Sequence, residues 1–158
     1  MTVQIAYLVD DLGAAAERWA ARGVGPFLRR ARTRLEASRD GRPVVHDLSI
    51  ALAQWGPVML ELVELHETGV PELRYPQGVH HVAEFVDSVA EARAASVARG
   101  WPIAIDLVSP QAGPVVFADA RAELGHFVEY YEPSEAILAL YARVKESAGS
   151  PGPVIREL

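Results

Sequence analysis

Two stretches of the chain repeat one pattern of apolar and polar positions. Residues 4–23 read QIAYLVDDLGAAAERWAARG and residues 81–100 read HVAEFVDSVAEARAASVARG, at a constant offset of 77. Identities fall at Ala6/Ala83, Val9/Val86, Asp10/Asp87, Ala15/Ala92, Ala21/Ala98, Arg22/Arg99 and Gly23/Gly100. Each copy opens with a short alternating run, the period of a half-buried strand. Each then carries Asp at the strand end, where a carboxylate can cap the next helix and favour its positive end. An alanine-rich helical stretch comes next, and a glycine stops it.

The remainder of each half is strand-like. In the first half these runs are Phe27 to Leu35, Val44 to Gln54 and Val58 to Leu65. In the second they are Trp101 to Val108, Val115 to Ala118 and His126 to Tyr131, with Gly and Pro between several of them. Glu61-Leu-Val-Glu64 matches Glu129-Tyr-Tyr-Glu132 at an offset of 68, so the first half is the longer one. The polar stretch Thr33 to Arg42 is the expected place for the extra loop. A helix from about Ser134 to Ser147 comes after the second half, then a Gly/Ser/Pro tail expected to be mobile. The pattern predicts an α+β fold of two tandem βαβββ modules, forming a curved mixed sheet around a shared cavity, with a C-terminal helix. The chain reads as one domain over 1–158, with module 1 at about 1–68, module 2 at about 78–133 and the helix at about 134–147.

Half of the 158 residues are hydrophobic, enough for a packed core. The net charge of −6 argues against a nucleic-acid partner. Arg29, Arg30, Arg32 and Arg34 form one short basic cluster, read as a solvated face, with steering of an anionic substrate as the minority reading. There are no cysteines, hence no disulfide, thiolate metal site or cysteine nucleophile. No apolar run approaches the ~20 residues that span a bilayer. A protein in the cytoplasm, with no membrane partner, is the expectation.

Equivalent positions in two pseudo-symmetric halves face each other across a shared cavity. The repeat nominates Gln4 and His81 from the opening strands, and Glu61 and Glu129 from the closing ones. Two carboxylates, an imidazole and an amide oxygen suit a divalent ion such as Zn, Ni, Co, Mn or Mg. Glu61 shares strand phase with Met59, Val63 and Leu65, and an unpaired carboxylate is costly to bury there. Glu64 has the opposite phase and is expected in solvent. His80 must point away from His81 and receives a structural role. His46, His66 and His126 have no partner in the repeat and are read as structural, although His46 could line the cavity. Phe85, Phe127 and Tyr131 share phase with the nominated residues and could wall it.

The segments QIAYLVDDL, VGPF, SIALAQWGPVMLELVE, GVHHVAEFVDSV and ELGHFVEYYEP resemble the vicinal oxygen chelate superfamily. That group includes glyoxalase I, methylmalonyl-CoA epimerase, extradiol dioxygenases and the fosfomycin and bleomycin resistance proteins. The resemblance runs from Gln4 to about Glu132. Glyoxalase I is similar in taking Gln, Glu, His and Glu from the corresponding strands, which implies Gln4, Glu61, His81 and Glu129 as metal ligands. It further implies a metal-dependent isomerase, epimerase or lyase that binds vicinal oxygens of a small carbonyl substrate and stabilises an enolate. Either Glu61 or Glu129 would be the general base, and the resemblance favours Glu129. With Gln4 first, the two-His-one-carboxylate set of iron oxygenases is incomplete. Leu65 stands where an Asn is expected, which points away from a glutathione adduct. A homodimer is implied by the same resemblance. The alternative function is a metal-free protein that binds an antibiotic or aromatic ligand in the same cavity.

Overall fold

The structure is a computed structural model that describes residues 1–75 and 78–158. The first half supplies β1 (Thr2–Leu8), α1 (Leu12–Ala20), β2 (Phe27–Arg34), β3 (Glu36–Arg39), β4 (Arg42–Pro43), β5 (His46–Trp55) and β6 (Val58–Thr68). The second supplies β7 (His81–Phe85), α2 (Val89–Ala98), β8 (Ile103–Ser109), β9 (Gly113–Ala118), α3 (Arg121–Leu124) and β10 (Phe127–Tyr131). The chain ends with α4 (Glu135–Ser147) and β11 (Ile155–Glu157). All strands join one curved mixed sheet in the order β11-β2-β5-β6-β1-β7-β10-β9-β8-β3-β4, as the duplicated pattern predicts. The centre is β1 paired antiparallel with β7, and each of these pairs in parallel with the last strand of its own half.

The helices divide between the two faces. On the outer face, α1 lays Leu12, Ala15 and Ala16 over Ala51, Ala53, Leu60 and Leu62. Ala92 of α2 likewise packs near Ala118, Val128 and Tyr130. The inner face carries Leu48, Ile50, Leu52, Val63, Leu65, Val115 and Phe117, covered by Ile137 and Val144 of α4. Strand alternation thus gives each strand one helix-packed face and one face toward the interior.

Three local expectations change. The helix caps are Asp11, which accepts from the Ala14 amide at 2.8 Å, and Ser88, which accepts from Glu91 at 3.3 Å. Asp10 and Asp87 sit one residue too early to reach those amides. The glycine stops do hold: Gly23 and Gly100 have φ of 82° and 86° beyond the two helices. The Thr33 to Arg42 stretch is no loop. After Leu35 the chain forms β3, turns at Asp40-Gly41 into β4, and pairs with β8 at the far end of the sheet. Its charged side chains are those of an edge hairpin, while Leu35 and Ala37 are buried. The sheet curls until one passage of chain bridges its two ends, yet no ladder among the described residues joins β2 to β8.

The tail also has structure, because β11 pairs in parallel with β2 and covers its edge. Val154 and Ile155 anchor it beside the α1 cluster, a signal too short to read against the Gly/Pro background. Among the described residues, no helix is long and apolar enough to cross a membrane. Leu62 is wholly buried between β6 and α1, whereas Leu138 on α4 is 48 % exposed. Leu62→Ala is expected to cost about 2–5 kcal/mol, and Leu138→Ala under about 0.5 kcal/mol, in urea unfolding.

Candidate functional site

The ladder register brings the four nominated side chains together. Ala6 is level with Glu61 on one side and His81 on the other, while Ala83 is level with Gln4 and Glu129. Residues two apart share a face, so all four polar side chains leave the inner face around the sheet centre. Ala6 and Ala83 are wholly buried and keep the floor between them low. Both are identities of the repeat, but their role as spacers is visible only in the register.

His81 is the hub. Its Nε2 lies 3.2 Å from Glu61 Oε2, 3.3 Å from Glu129 Oε2 and 3.5 Å from Gln4 Nε2. Gln4 Nε2 donates to Glu61 Oε2 at 2.9 Å. His81 is 3 % exposed, and the Glu61 and Glu129 side chains are 10 % and 13 % exposed. Burial opposes a charge on His81, but the Glu129 and Glu61 carboxylates outweigh it and push the imidazole up to about 9. Burial likewise raises the Glu129 carboxyl, with His81 pulling it back.

His80 does not point away from His81 as strand alternation predicts: it precedes β7, its ring meets that of His81, and it sets the orientation of His81. Its Nε2 is 2.8 Å from the Leu73 carbonyl, an acceptor, so this nitrogen carries the proton. Burial pushes His80 down to about 3, with His81 adding to the effect. A neutral His80 protonated at Nε2 has a lone pair on Nδ1, which accepts from His81 Nδ1–H at 2.8 Å. The Nε2 of His81 is thereby aimed at the two carboxylates, available either to hold a proton or to bind a cation.

The donor set suits a divalent ion on chemistry and spacing. Two carboxylates confront a single imidazole nitrogen, and one N–H cannot serve both well. Adjacent ligands held about 2.1 Å from an ion stand roughly 3.0 Å apart, close to the 2.9–3.3 Å separations among these atoms. As placed, however, the side chains bond to one another. Among the described residues no group of three or more His, Asp or Glu stands ready-arranged as a metal centre. Gln4 also presents nitrogen inward, while its Oε1 accepts from Tyr141 OH at 2.8 Å. A half-turn of the amide exchanges the two atoms, and a hydroxyl can receive the amide N–H as readily as it donates.

Tyr141 comes from α4 and hydrogen-bonds Tyr131 of β10. Burial raises both phenols, so both stay protonated. Phase alone placed Tyr131 on this face. Tyr141 lies outside the repeat, and no strand-based reading could find it.

These groups line a chamber of about 90 Å³. Leu48, Ile50, Val63, Leu107 and Phe117 supply apolar walls, and Arg30, Ser109 and Gln111 lie on the same lining. Phe127 packs against His80, and Phe85 against Tyr131 and Tyr141, so they act behind the wall. His46 lines the chamber and contacts Thr68 Oγ1 at 3.4 Å. His66 bonds Ser49 on the other face of the sheet near Glu64, and His126 contacts its neighbouring Phe127 carbonyl.

A profile of the Glyoxalase/Bleomycin resistance protein/Dioxygenase superfamily matches residues 3–118. A comparison with curated protein sequences finds no match. Among solved structures, a hypothetical protein from Bacillus halodurans C-125 is similar at 18 % identity and a TM-score of 0.59, over 85 % of this chain and 95 % of that one. Methylmalonyl-CoA epimerase from Mycobacterium tuberculosis is similar at 15 % identity and a TM-score of 0.50, over 87 % and 91 %. These likenesses concern the fold.

Burial pushes His46 down to about 4, against the pull of Asp47. An unfolded His46 takes up its proton near 6.5, so acid favours the unfolded chain between that value and about 4. Stability should therefore fall as pH drops through this window. His46→Phe should show a shallower loss than the parent protein in denaturant melts at pH 7, 6, 5 and 4.

Proposed function

The chain belongs to the glyoxalase/bleomycin resistance protein/dioxygenase superfamily, and on that premise we propose a metal-dependent isomerase, epimerase or lyase acting beside a small-molecule carbonyl. The observation that carries this reading is the burial of Glu61 and Glu129 around His81 Nε2, with Gln4 completing the set. In it, Gln4, Glu61, His81 and Glu129 hold a divalent ion. When bound, such an ion supplies Lewis acidity, polarising a substrate carbonyl and favouring the negative charge left when the adjacent C–H loses its proton.

The chain's own residues do the rest. Glu129 is the proposed base, because its carboxylate lines the chamber from the inner face, where it can reach a substrate carbon. Glu61 balances charge across the site and is the second candidate for the base. His80 holds His81 in the binding tautomer through the Leu73 carbonyl. Tyr141 holds the Gln4 amide, tying the α4 cover to the chemistry. The apolar walls keep bulk water from the abstracted proton.

A second reading has support of its own. The four polar side chains bond to one another without a metal, and most of the lining is apolar. A metal-free protein that sequesters an aromatic or antibiotic-like molecule would look the same.

Elemental analysis of untagged, chelator-free protein separates the two. The enzyme reading expects about one equivalent of divalent metal, lost in the Glu61→Ala/Glu129→Ala double variant. Absence of metal, with no binding of supplied Zn²⁺, Ni²⁺, Co²⁺, Mn²⁺ or Mg²⁺, would transfer the assignment to the binding protein. His80→Phe should weaken metal affinity about 10–100-fold in competition with a chromophoric chelator, since His81 loses its orienting partner.

A further inference from the structure

Four arginines succeed one another closely on β2, and three of them are paired in the same way. Arg29 binds Glu157, Arg32 binds Asp47 at 2.8 Å and Arg34 binds Glu67 at 3.3 Å, all toward solvent. Arg30 differs. It is half-buried, lines the chamber, and has no carboxylate within 4.0 Å among the described residues. Its one side-chain hydrogen bond runs from Nη1 to the neutral Gln111 Oε1 at 2.9 Å.

A β-bulge produces the difference. Arg30 is level with Ile50 and Thr33 with Leu48, so one extra residue of β2 lies between those rows. Before the bulge the even positions Leu28 and Arg30 share the inner face with Leu52 and Ile50. After it the odd positions Thr33 and Leu35 do so. Without the bulge, Arg32 and Arg34 would also point inward. The strand admits one guanidinium to the chamber and keeps the others in solvent.

From this placement we infer that Arg30 is an anion-binding residue of the chamber, and that the natural ligand is a small organic acid with an apolar body. Its carboxylate pairs with the Arg30 guanidinium, and its apolar part lies along the Leu48, Ile50 and Leu107 wall. A carboxylate matches on two counts. The planar guanidinium offers paired N–H groups that fit two coplanar oxygens. Arg30 is also the only Arg or Lys among the described residues lining the chamber, which balances one negative charge rather than two. Glu61 and Glu129 act on Arg30 through the chamber, but neither carboxylate contacts the guanidinium, and both lie against His81. Leaving the guanidinium half-buried with no carboxylate in direct contact is unfavourable, and a ligand carboxylate relieves it. Arg30, Gln111 and Leu140 also line an adjoining outer groove, which puts the arginine where a ligand enters. The inference uses the chamber as the ligand site and does not depend on a metal.

Titration calorimetry tests it with three probes of similar shape: 4-methylpentanoate, 4-methylpentanamide and isobutyl phosphate. Each is measured on chelator-treated protein, so failure of the metal reading and failure of this one are told apart. The acid should bind the parent protein at least tenfold more tightly than the amide. It should lose at least tenfold on Arg30→Gln, less on Arg30→Lys, which keeps the charge, and nothing on the outward Arg29→Gln. Equal affinity of acid and amide, undiminished binding to Arg30→Gln, or no binding of the acid to the parent protein would overturn the inference. Tighter binding of the phosphate ester than of the acid would overturn the carboxylate assignment.

Discussion

Two buried carboxylates facing one imidazole nitrogen are the constraint around which this molecule is arranged. Carboxylates removed from water need a compensating charge or a full set of donors. Glu61 and Glu129 share the Nε2 of His81, with one amide N–H from Gln4 serving Glu61. Surrounding features act on that cluster. His80 and the Leu73 carbonyl fix which His81 nitrogen faces it, and Tyr141 reaches down from α4 to hold Gln4. The sheet's curl and the α4 cover keep water out, which strengthens each interaction inside.

Duplication explains how so demanding an arrangement is built. Placing β1 against β7 antiparallel puts equivalent positions of the two halves across a local two-fold axis. Glu61 and Glu129 then approach the centre from opposite sides, and Ala6 and Ala83 leave the floor between them clear. The symmetry is broken where the chemistry needs it, with an amide at Gln4 and an imidazole at the equivalent His81. The longer first half breaks it again, since β3 and β4 cross to the edge of the second half.

Much of this was legible in the sequence because it derives from period and offset. The alternating runs marked the strands, and the 77-residue offset alone made Gln4 the equivalent of His81. The features that escaped have a common physical character: each depends on where a strand edge or a helix finds its partner. The Thr33 to Arg42 stretch reads as polar loop, and Glu36 to Ser38 become strand because β8 offers an open edge. Val154 and Ile155 become an anchor for the same reason at β2. Tyr141 belongs to a helix whose own pattern says only that one side is apolar. The caps moved from Asp10 and Asp87 to Asp11 and Ser88 because capping requires a side chain three residues before the amide it serves.

The arginine run shows the limit of strict alternation most clearly. Read with a period of two, Arg30, Arg32 and Arg34 share one face and Arg29 takes the other. One extra residue between Arg30 and Thr33 overturns that grouping and sends Arg32 and Arg34 out to Asp47 and Glu67. The bulge leaves no mark in composition, since Ala31 and Thr33 are ordinary strand residues. It nonetheless decides whether the chamber holds one guanidinium or three. Three guanidiniums beside Glu61 and Glu129 would quench the acidic cluster, whereas one leaves it intact and still marks the wall for an anion. A register shift of a single residue thus separates a chamber that keeps its acidic cluster and one guanidinium at different points from one whose charges would neutralise each other.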